Sequence, residues 1–384
     1  MKRISALLLA AALAAPACSS QQGDDGNGSN GSNGSGDEWD QLLGQRVVDY
    51  NAALRIAALR LTGKIPTMAE TNQVASAPDD AAKKLAYETL LRDYMNRDDF
   101  AKQMFLYFRD TFKMGETAML DTAPAFAARL AVTNGSYMDL FTAGADGCPT
   151  FDLTTGQFTP AECANNGPKA GVLTNPGVMS HYFGNFAFRR ARWVQETFVC
   201  TKFPAEVVEG AGTNVGGASP YTGVWPWESI AGKDNGGRVD FHDTSAVICA
   251  NCHSTLNHQA PLFAYYDQNG VYQTAIAVPT PLDNSPMARM TDYLPSGETT
   301  AWRLGVPAAD LPAFGAAMAA DPDVAECGVA RMWNWALGKT DIVDTLQEVP
   351  IETIQAQVDG FKANGYKVKD LIFTVFTSDD FIKF

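Results

Sequence analysis

The sequence predicts a mainly α, multi-helical fold in which one loop-rich region is inserted between helical segments. Apolar residues recur at intervals of three and four in several stretches, which is the spacing of one face of a helix. Glycine and proline fall between these stretches, where helices end. Residues 201–310 differ, because glycine and proline are frequent and helical spacing is weak, so loops are expected there.

The first 17 residues have the composition of an export signal. Residues 2–3 are basic, and residues 4–15 are apolar but too few to span a bilayer. The small residues 15–17 precede Cys18, as in bacterial lipoprotein signals, although Ala15 stands where leucine is usual. We expect cleavage before Cys18 and lipid attachment to it. The alternative is ordinary secretion, with Cys18 removed or unmodified.

Residues 18–38 are predicted to be the lipid-modified cysteine and a flexible linker. Ser19–Gly36 contains no apolar residue and cannot form a packed core. Several acyl chains would hold the protein firmly at a membrane, since a single chain binds only marginally. We therefore expect a protein that is lipid-anchored to a bacterial membrane, the outer membrane facing the periplasm or the cell surface. No later stretch is apolar enough for a transmembrane helix.

Two segments are predicted to be helical domains, residues 39–145 and residues 311–384. The first begins with a helix whose apolar face is Leu42, Leu43, Val47, Tyr50, Leu54, Ala57, Ala58 and Leu61. Further helices are expected over Ala81–Met95, from Asp98 or Asp99, over Ala123–Leu130, Tyr137–Phe141, Leu311–Ala320, Pro322–Leu337, Pro350–Lys362 and Lys369–Thr377. The helix from Asp98 or Asp99 carries a stripe expected to be core: Phe100, Met104, Phe105, Phe108 and Phe112.

Residues 249–253 read Cys-Ala-Asn-Cys-His, and Cys-x-x-Cys-His is the attachment motif of c-type haem. Cysteines three apart on a helical turn share a face, so each thiol can bond one vinyl group of the same porphyrin. The histidine that follows is then the proximal ligand of the iron. The sequence predicts one covalent haem c bound by Cys249, Cys252 and His253, within a haem-binding region at 201–310. A zinc site, a redox dithiol or one end of a disulfide fits less well.

The sixth iron ligand would decide the chemistry of such a haem. We prefer Met290, with Met287 as the alternative, because both lie in a proline-flanked loop after the motif. Among the histidines, His242 is conceivable. His258 follows His253 by only five residues and is too close to reach the opposite face of the porphyrin.

Four further cysteines remain, Cys148, Cys163, Cys200 and Cys327, an even number suited to two disulfides in an exported protein. Three connectivities are possible, and the sequence alone does not select one. The turn-rich segment between Cys148 and Cys163, within residues 146–200, favours a local bridge. That choice would leave Cys200 to pair with Cys327.

Several segments of the chain resemble segments that occur in the same order in one group of proteins. They are Ala58–Thr67, Asn134–Ala143, Gly171–Pro176, Arg190–Cys200, Cys249–His253, Asp321–Lys339 and Gly365–Asp379. They resemble large secreted proteins of planctomycetes and myxobacteria, which are built from domains of unknown function and commonly carry a c-type haem motif. The resemblance covers most of residues 45–384 and departs at Ser254–Leu262 and Gly210–Asp240. It implies a secreted, largely helical, haem-binding protein joined to an electron chain or a catabolic enzyme.

The net charge of −14, from 29 basic and 43 acidic residues, excludes a nucleic-acid partner, because no basic run is present to bind phosphates. The acidic surplus gives solubility and suits a basic redox partner. We expect a membrane-anchored c-type cytochrome-like protein that transfers single electrons to an unidentified redox partner in the cell envelope. The alternatives are a haem-dependent, peroxidase-like enzyme and a structural lipoprotein of unknown function.

Overall fold

Helices make up most of the regular structure, which confirms the mainly α, multi-helical class. The computed structural model describes residues 42–202, 241, 247–280, 286–303, 305–345 and 349–384. The helices named here are α1 (Tyr50–Thr62), α2 (Met68–Ala75), α3 (Asp80–Tyr94), α4 (Asp98–Phe112), α5 (Thr122–Val132), α6 (Asp139–Thr142), α7 (Pro176–His181), α8 (Phe188–Phe198), α9 (Val247–Phe263), α10 (Met290–Tyr293), α11 (Leu311–Ala320), α12 (Pro322–Ala336), α13 (Ile342–Thr345), α14 (Ile351–Ala363), α15 (Val368–Phe376) and α16 (Asp379–Ile382). Two antiparallel pairs join β1 (Thr150–Asp152) to β2 (Gln157–Thr159) and β3 (Ala301–Arg303) to β4 (Val306–Pro307).

Helix α1 begins later than the apolar spacing predicts. The backbone N–H of Val47 donates to the carbonyl of Phe384 at 3.0 Å, so the residues before α1 pair with the last residues of the chain. Asp49 then caps the helix, because its carboxylate accepts from the first free backbone N–H groups. Gly63 ends α1 in the left-handed conformation (φ 70°), which glycine adopts without steric cost.

Helix α2 is not among the predicted helices, although its start has a recognisable signal. The Thr67 hydroxyl accepts from the Glu70 N–H, and the Glu70 carboxylate accepts from the Thr67 N–H at 2.6 Å. This reciprocal capping box is readable as Thr-x-x-Glu. Arg97 also donates to Glu70 at 2.6 Å, which joins the start of α2 to the residue before α4.

The aromatic stripe of α4 is buried, as the sequence predicts for a core face. Phe112 is the last residue of the stripe, with its ring centroid 5.7 Å from those of both Trp193 and Phe198 on α8. Burying a side chain of this size stabilises the fold by about 1.5–3 kcal/mol. The stripe therefore holds α8 against the N-terminal helices, and α8 in turn packs on α9, the helix that carries the Cys-x-x-Cys-His motif.

A fully buried arginine, Arg190 on α8, holds the C-terminal end of α9. Its guanidinium donates to the backbone carbonyls of Phe263 and Tyr266 at 2.6 and 2.7 Å. It also donates to the carbonyls of Met179, at 2.9 Å from Nε, and Asp267, at 3.0 Å. Carbonyls at a helix end lack helical partners, and here a single side chain supplies their donors.

Two disulfides join the four remaining cysteines. Cys148 and Cys163 are bonded across the β1–β2 segment, with an S–S distance of 2.07 Å. Cys200 and Cys327 are bonded over a separation of 127 residues, with an S–S distance of 2.00 Å. Of the three connectivities that the sequence allows, the structure has the one with a local bridge and a long-range bridge. The second bridge joins the segment after α8 to α12.

The contacts divide the chain after Arg46, and the described residues from Val47 to Phe384 belong to one unit. The segments predicted as 39–145, 146–200, 201–310 and 311–384 thus share that unit from Val47 onward. Within the described residues, no helix has the length and apolar character needed to cross a membrane.

Candidate functional site

The Cys-x-x-Cys-His motif lies on helix α9 (Val247–Phe263). A 17-residue helix in this position is longer than the loop-rich prediction for residues 201–310 suggests. Positions 249, 252 and 253 are separated by three and four residues, so they share one face of the helix. The structure describes the side chains of α9 from Cys252 onward, and the Cys249 side chain lies outside that description.

Cys252 is the cysteine of the motif whose side chain is described. Among the described cysteine side chains it is the one outside a disulfide. It is half-buried, and burial raises the pKa of its thiol, with a smaller opposite effect from the charge of Arg192. The two disulfides already join the other four, so they leave this thiol available for another bond.

The ring of His253 is oriented by a second polar side chain on the same helix. Asn257, one turn later, donates from Nδ2 to the carbonyl of Phe241 at 2.8 Å. Because a carbonyl only accepts, this bond assigns the amide and places Oδ1 at 2.9 Å from Nδ1 of His253. Nδ1 of His253 must then carry the proton. In the neutral ring the lone pair is on Nε2, the nitrogen that binds iron in a haem site.

The surroundings of His253 favour this neutral ring. Burial lowers the pKa of His253, and the hydrogen bond to Asn257 opposes this shift less strongly. Phe241 stacks on the imidazole, with centroids 5.0 Å apart and planes 12° from parallel. Phe188 meets it edge-on at 4.9 Å. An apolar, aromatic setting around a neutral imidazole is what an axial metal ligand requires.

A cavity of about 550 Å³ opens beside His253. Its lining also includes Asn257, Tyr293 at the end of α10, and residues between positions 294 and 307. The volume lies within the range of about 300–1,000 Å³ that cofactor pockets occupy. The Tyr293 hydroxyl is buried and has no hydrogen-bond partner among the described residues. The imidazole and this unused polar atom fit a haem at this position, whereas Cys252, one residue before His253, does not line the cavity.

The structure does not bring the predicted sixth ligands to this cavity. Met290 is the first residue of α10 and its side chain is 38% exposed. Met287 is 55% exposed, in an isolated bridge with Pro279. Neither lines the cavity beside His253. Ligation of the proposed haem iron by Met290 or Met287 therefore stays a prediction.

A second histidine lies in the cavity, on the same helix. Nδ1 of His258 donates to the Ser254 carbonyl at 2.9 Å, and its Nε2 lies 3.1 Å from the Glu298 carboxylate. Since the carbonyl only accepts, Nδ1 carries a proton, and Nε2 faces the Glu298 carboxylate at the wall of the cavity.

Sequence reasoning missed Asn257 and Tyr293. Asn257 had a usable signal, because a polar residue four positions after a histidine faces it on a helix. Tyr293 had none, since 40 residues separate it from His253. Cys18 and His242 lie outside the described residues.

Searches for similar proteins found no matching family, no matching curated protein and no matching solved structure.

Proposed function

We propose that this chain is a membrane-anchored, c-type cytochrome-like protein that binds one haem covalently and transfers single electrons in the cell envelope. The observation that carries the proposal is the pairing of the motif on α9 with the Asn257 contact to His253. The contact selects the ring form whose Nε2 lone pair can bind iron. A Cys-x-x-Cys-His sequence that arose by chance would have no need of a residue such as Asn257 to orient its histidine.

Within this proposal, Cys249 and Cys252 form the thioether bonds and His253 supplies the axial nitrogen. Asn257 holds the ring of His253, and Phe188 and Phe241 pack against it. When bound, the haem supplies a one-electron couple. The electron would pass to an unidentified redox partner.

The cellular location in this proposal is inferred from the N-terminal residues. The signal before Cys18 and the polar linker after it support export and lipid anchoring, at the outer membrane facing the periplasm or the cell surface. The two disulfides agree with a compartment outside the cytoplasm. The ordered resemblance to secreted planctomycete and myxobacterial proteins supports the same assignment.

The test is expression of the full chain in a bacterium that attaches c-type haem, followed by intact mass and oxidised and reduced visible spectra. The wild type should gain the mass of one haem. Cys249→Ala/Cys252→Ala should lose covalent haem, and His253→Ala should lose the axial nitrogen and change the spectrum. His258→Ala, on the same helix, is the control and should retain haem. The proposal fails if the double cysteine variant keeps the mass and the absorbance of the wild type.

A peroxidase-like enzyme is the second candidate, and the contact of His258 with Glu298 in the same cavity favours it, because a positioned histidine can act as a general acid or base in peroxide chemistry. The two functions differ in the sixth position of the iron. A carrier should keep a low-spin spectrum when carbon monoxide is added. Rapid binding of carbon monoxide, with turnover of peroxide that falls in His258→Ala, would favour the enzyme instead.

A further inference from the structure

Two adjoining cavities lie apart from the one beside His253. Their volumes are about 280 and 240 Å³, and they share the lining residues Thr111, Lys113, Arg331 and Asp341. None of these four lines the cavity beside His253. We call the two together the basic groove. It lies between the end of α4, helix α8 and the end of α12.

The charge of the basic groove is opposite to that of the chain. Its cations outnumber its carboxylates six to three, whereas the chain as a whole has a net charge of −14. The cations are Arg60, Lys113, Arg189, Arg192, Arg331 and Lys339, and the carboxylates are Asp110, Glu196 and Asp341. A concave site with this sign attracts anions.

Three of these cations are not neutralised by any carboxylate in the described part of the chain. Among the described residues, no carboxylate pairs with Arg60, Arg189 or Lys339, although acidic residues are in excess. Arg189 reaches only the Phe183 carbonyl, at 3.4 Å. The pKa of His181, which also lines the groove, is lowered first by burial and next by the charge of Arg189. The groove thus has a positive potential that its own residues do not cancel.

The wall formed by α12 also leaves polar atoms unused. Arg331 and Asn334 are both buried, with 6% of each residue exposed. Arg331 pairs with Asp341 and donates to the Glu196 carbonyl at 2.7 Å, but its Nε has no partner among the described residues. Asn334 donates to Thr340, while its Oδ1 is likewise without a partner in the described chain. Both atoms are buried, so one donor and one acceptor become usable by a ligand when these side chains shift slightly toward the groove.

We propose that the basic groove binds a small oxyanion that carries a hydroxyl group. In the cavity of about 240 Å³, charged oxygens accept from Lys339 and Arg331 and the hydroxyl donates to Asn334, after small adjustments of the two buried side chains. Arg189, in the adjoining cavity, adds to the positive potential. Monohydrogen phosphate and 2-hydroxycarboxylates both have this chemistry. The site is separate from the motif on α9 and does not depend on haem attachment.

The test is calorimetric titration of the full chain in detergent at low salt, with two matched pairs of probes. Phosphate is compared with sulfate, and malate with succinate, so that each pair differs in the hydroxyl. A hydrogen bond to a buried acceptor is worth about 1 kcal/mol or slightly more, which corresponds to about tenfold in affinity. Phosphate or malate should therefore bind about tenfold more tightly than its partner, and whichever pair does so identifies the source.

Arg189→Gln/Lys339→Gln should weaken the preferred probe about tenfold or more, because two unneutralised charges are removed. Arg55→Gln is the matched control, since Arg55 is an exposed cation on α1 outside the groove. It should bind as the wild type does. The proposal is overturned if none of the four probes binds, if the members of each pair bind equally, or if the double variant binds as well as the control.

Discussion

Replacing Arg190 by methionine removes the donors that hold the end of α9. The Phe263 and Asp267 carbonyls keep other donors, the backbone N–H groups of Tyr266 and Gly270. The carbonyls of Met179 and Tyr266 accept from Arg190 and from no other described donor. Two buried acceptors are therefore left unsatisfied by the substitution.

Each unsatisfied buried acceptor costs about 1–3 kcal/mol, so Arg190→Met should lower the free energy of unfolding by about 4 kcal/mol. Burial lowers the pKa of Arg190 to about 10, so the side chain is charged at neutral pH and its bonds are charge-assisted. Urea denaturation followed by circular dichroism measures the change. Arg55→Met, at an exposed position on α1, is the control and should change stability by less than about 1 kcal/mol. A loss below about 1 kcal/mol for Arg190→Met would refute this account of α9.

Two glycines and Asn257 give further predictions. A Cβ on Gly315 would lie 2.1 Å from the Phe141 carbonyl oxygen, so Gly315→Ala should lower the unfolding free energy by about 1–3 kcal/mol, the cost of overpacking. Gly360, inside α14, has open space around its Cβ position, so Gly360→Ala should raise it by about 0.5–1 kcal/mol; equal effects at the two sites in denaturant titrations would contradict this reading. In the haem-loaded protein, Asn257→Asp should lower the reduction potential and Asn257→Leu should raise it, because a stronger acceptor makes the imidazole a better donor to ferric iron. Identical potentials in a redox titration of the three proteins would show that the contact has no such effect.

The helical class was predictable because apolar spacing is a local property of the chain. The Pro322 start and the buried stripe on α4 follow from that spacing and from simple capping rules. Asp98 and Asp99 lie in the first turn of α4, but neither caps it, because the N-cap is Arg97 and makes no side-chain capping bond. The late start of α1 was not predictable in the same way. The apolar residues before Tyr50 keep helical spacing, but their backbone groups bond to residues more than 330 positions away.

In the candidate site, too, local features are predictable from the sequence and long-range contacts are not. The motif and the role proposed for His253 are readable from five consecutive residues, and the Asn257 contact follows from helical spacing once α9 is known. The aromatic contacts of Phe188 and Phe241 and the cavity wall at Tyr293 are not readable, because each requires the packing of separate segments. The two methionines predicted as sixth ligand, Met287 and Met290, are exposed and do not line the cavity beside His253.

The pairing of residues 47–49 with residues 382–384 has a consequence for the order of folding. Val47 and Phe384 exchange hydrogen bonds in both directions, at 3.0 Å each. The first residues of the unit thus obtain their partners only when the last residues of the chain are present. Closing so long a loop is slow compared with forming local helices. Helix α1 can form early, but the segment that enters it must wait until residues 382–384 have been synthesised.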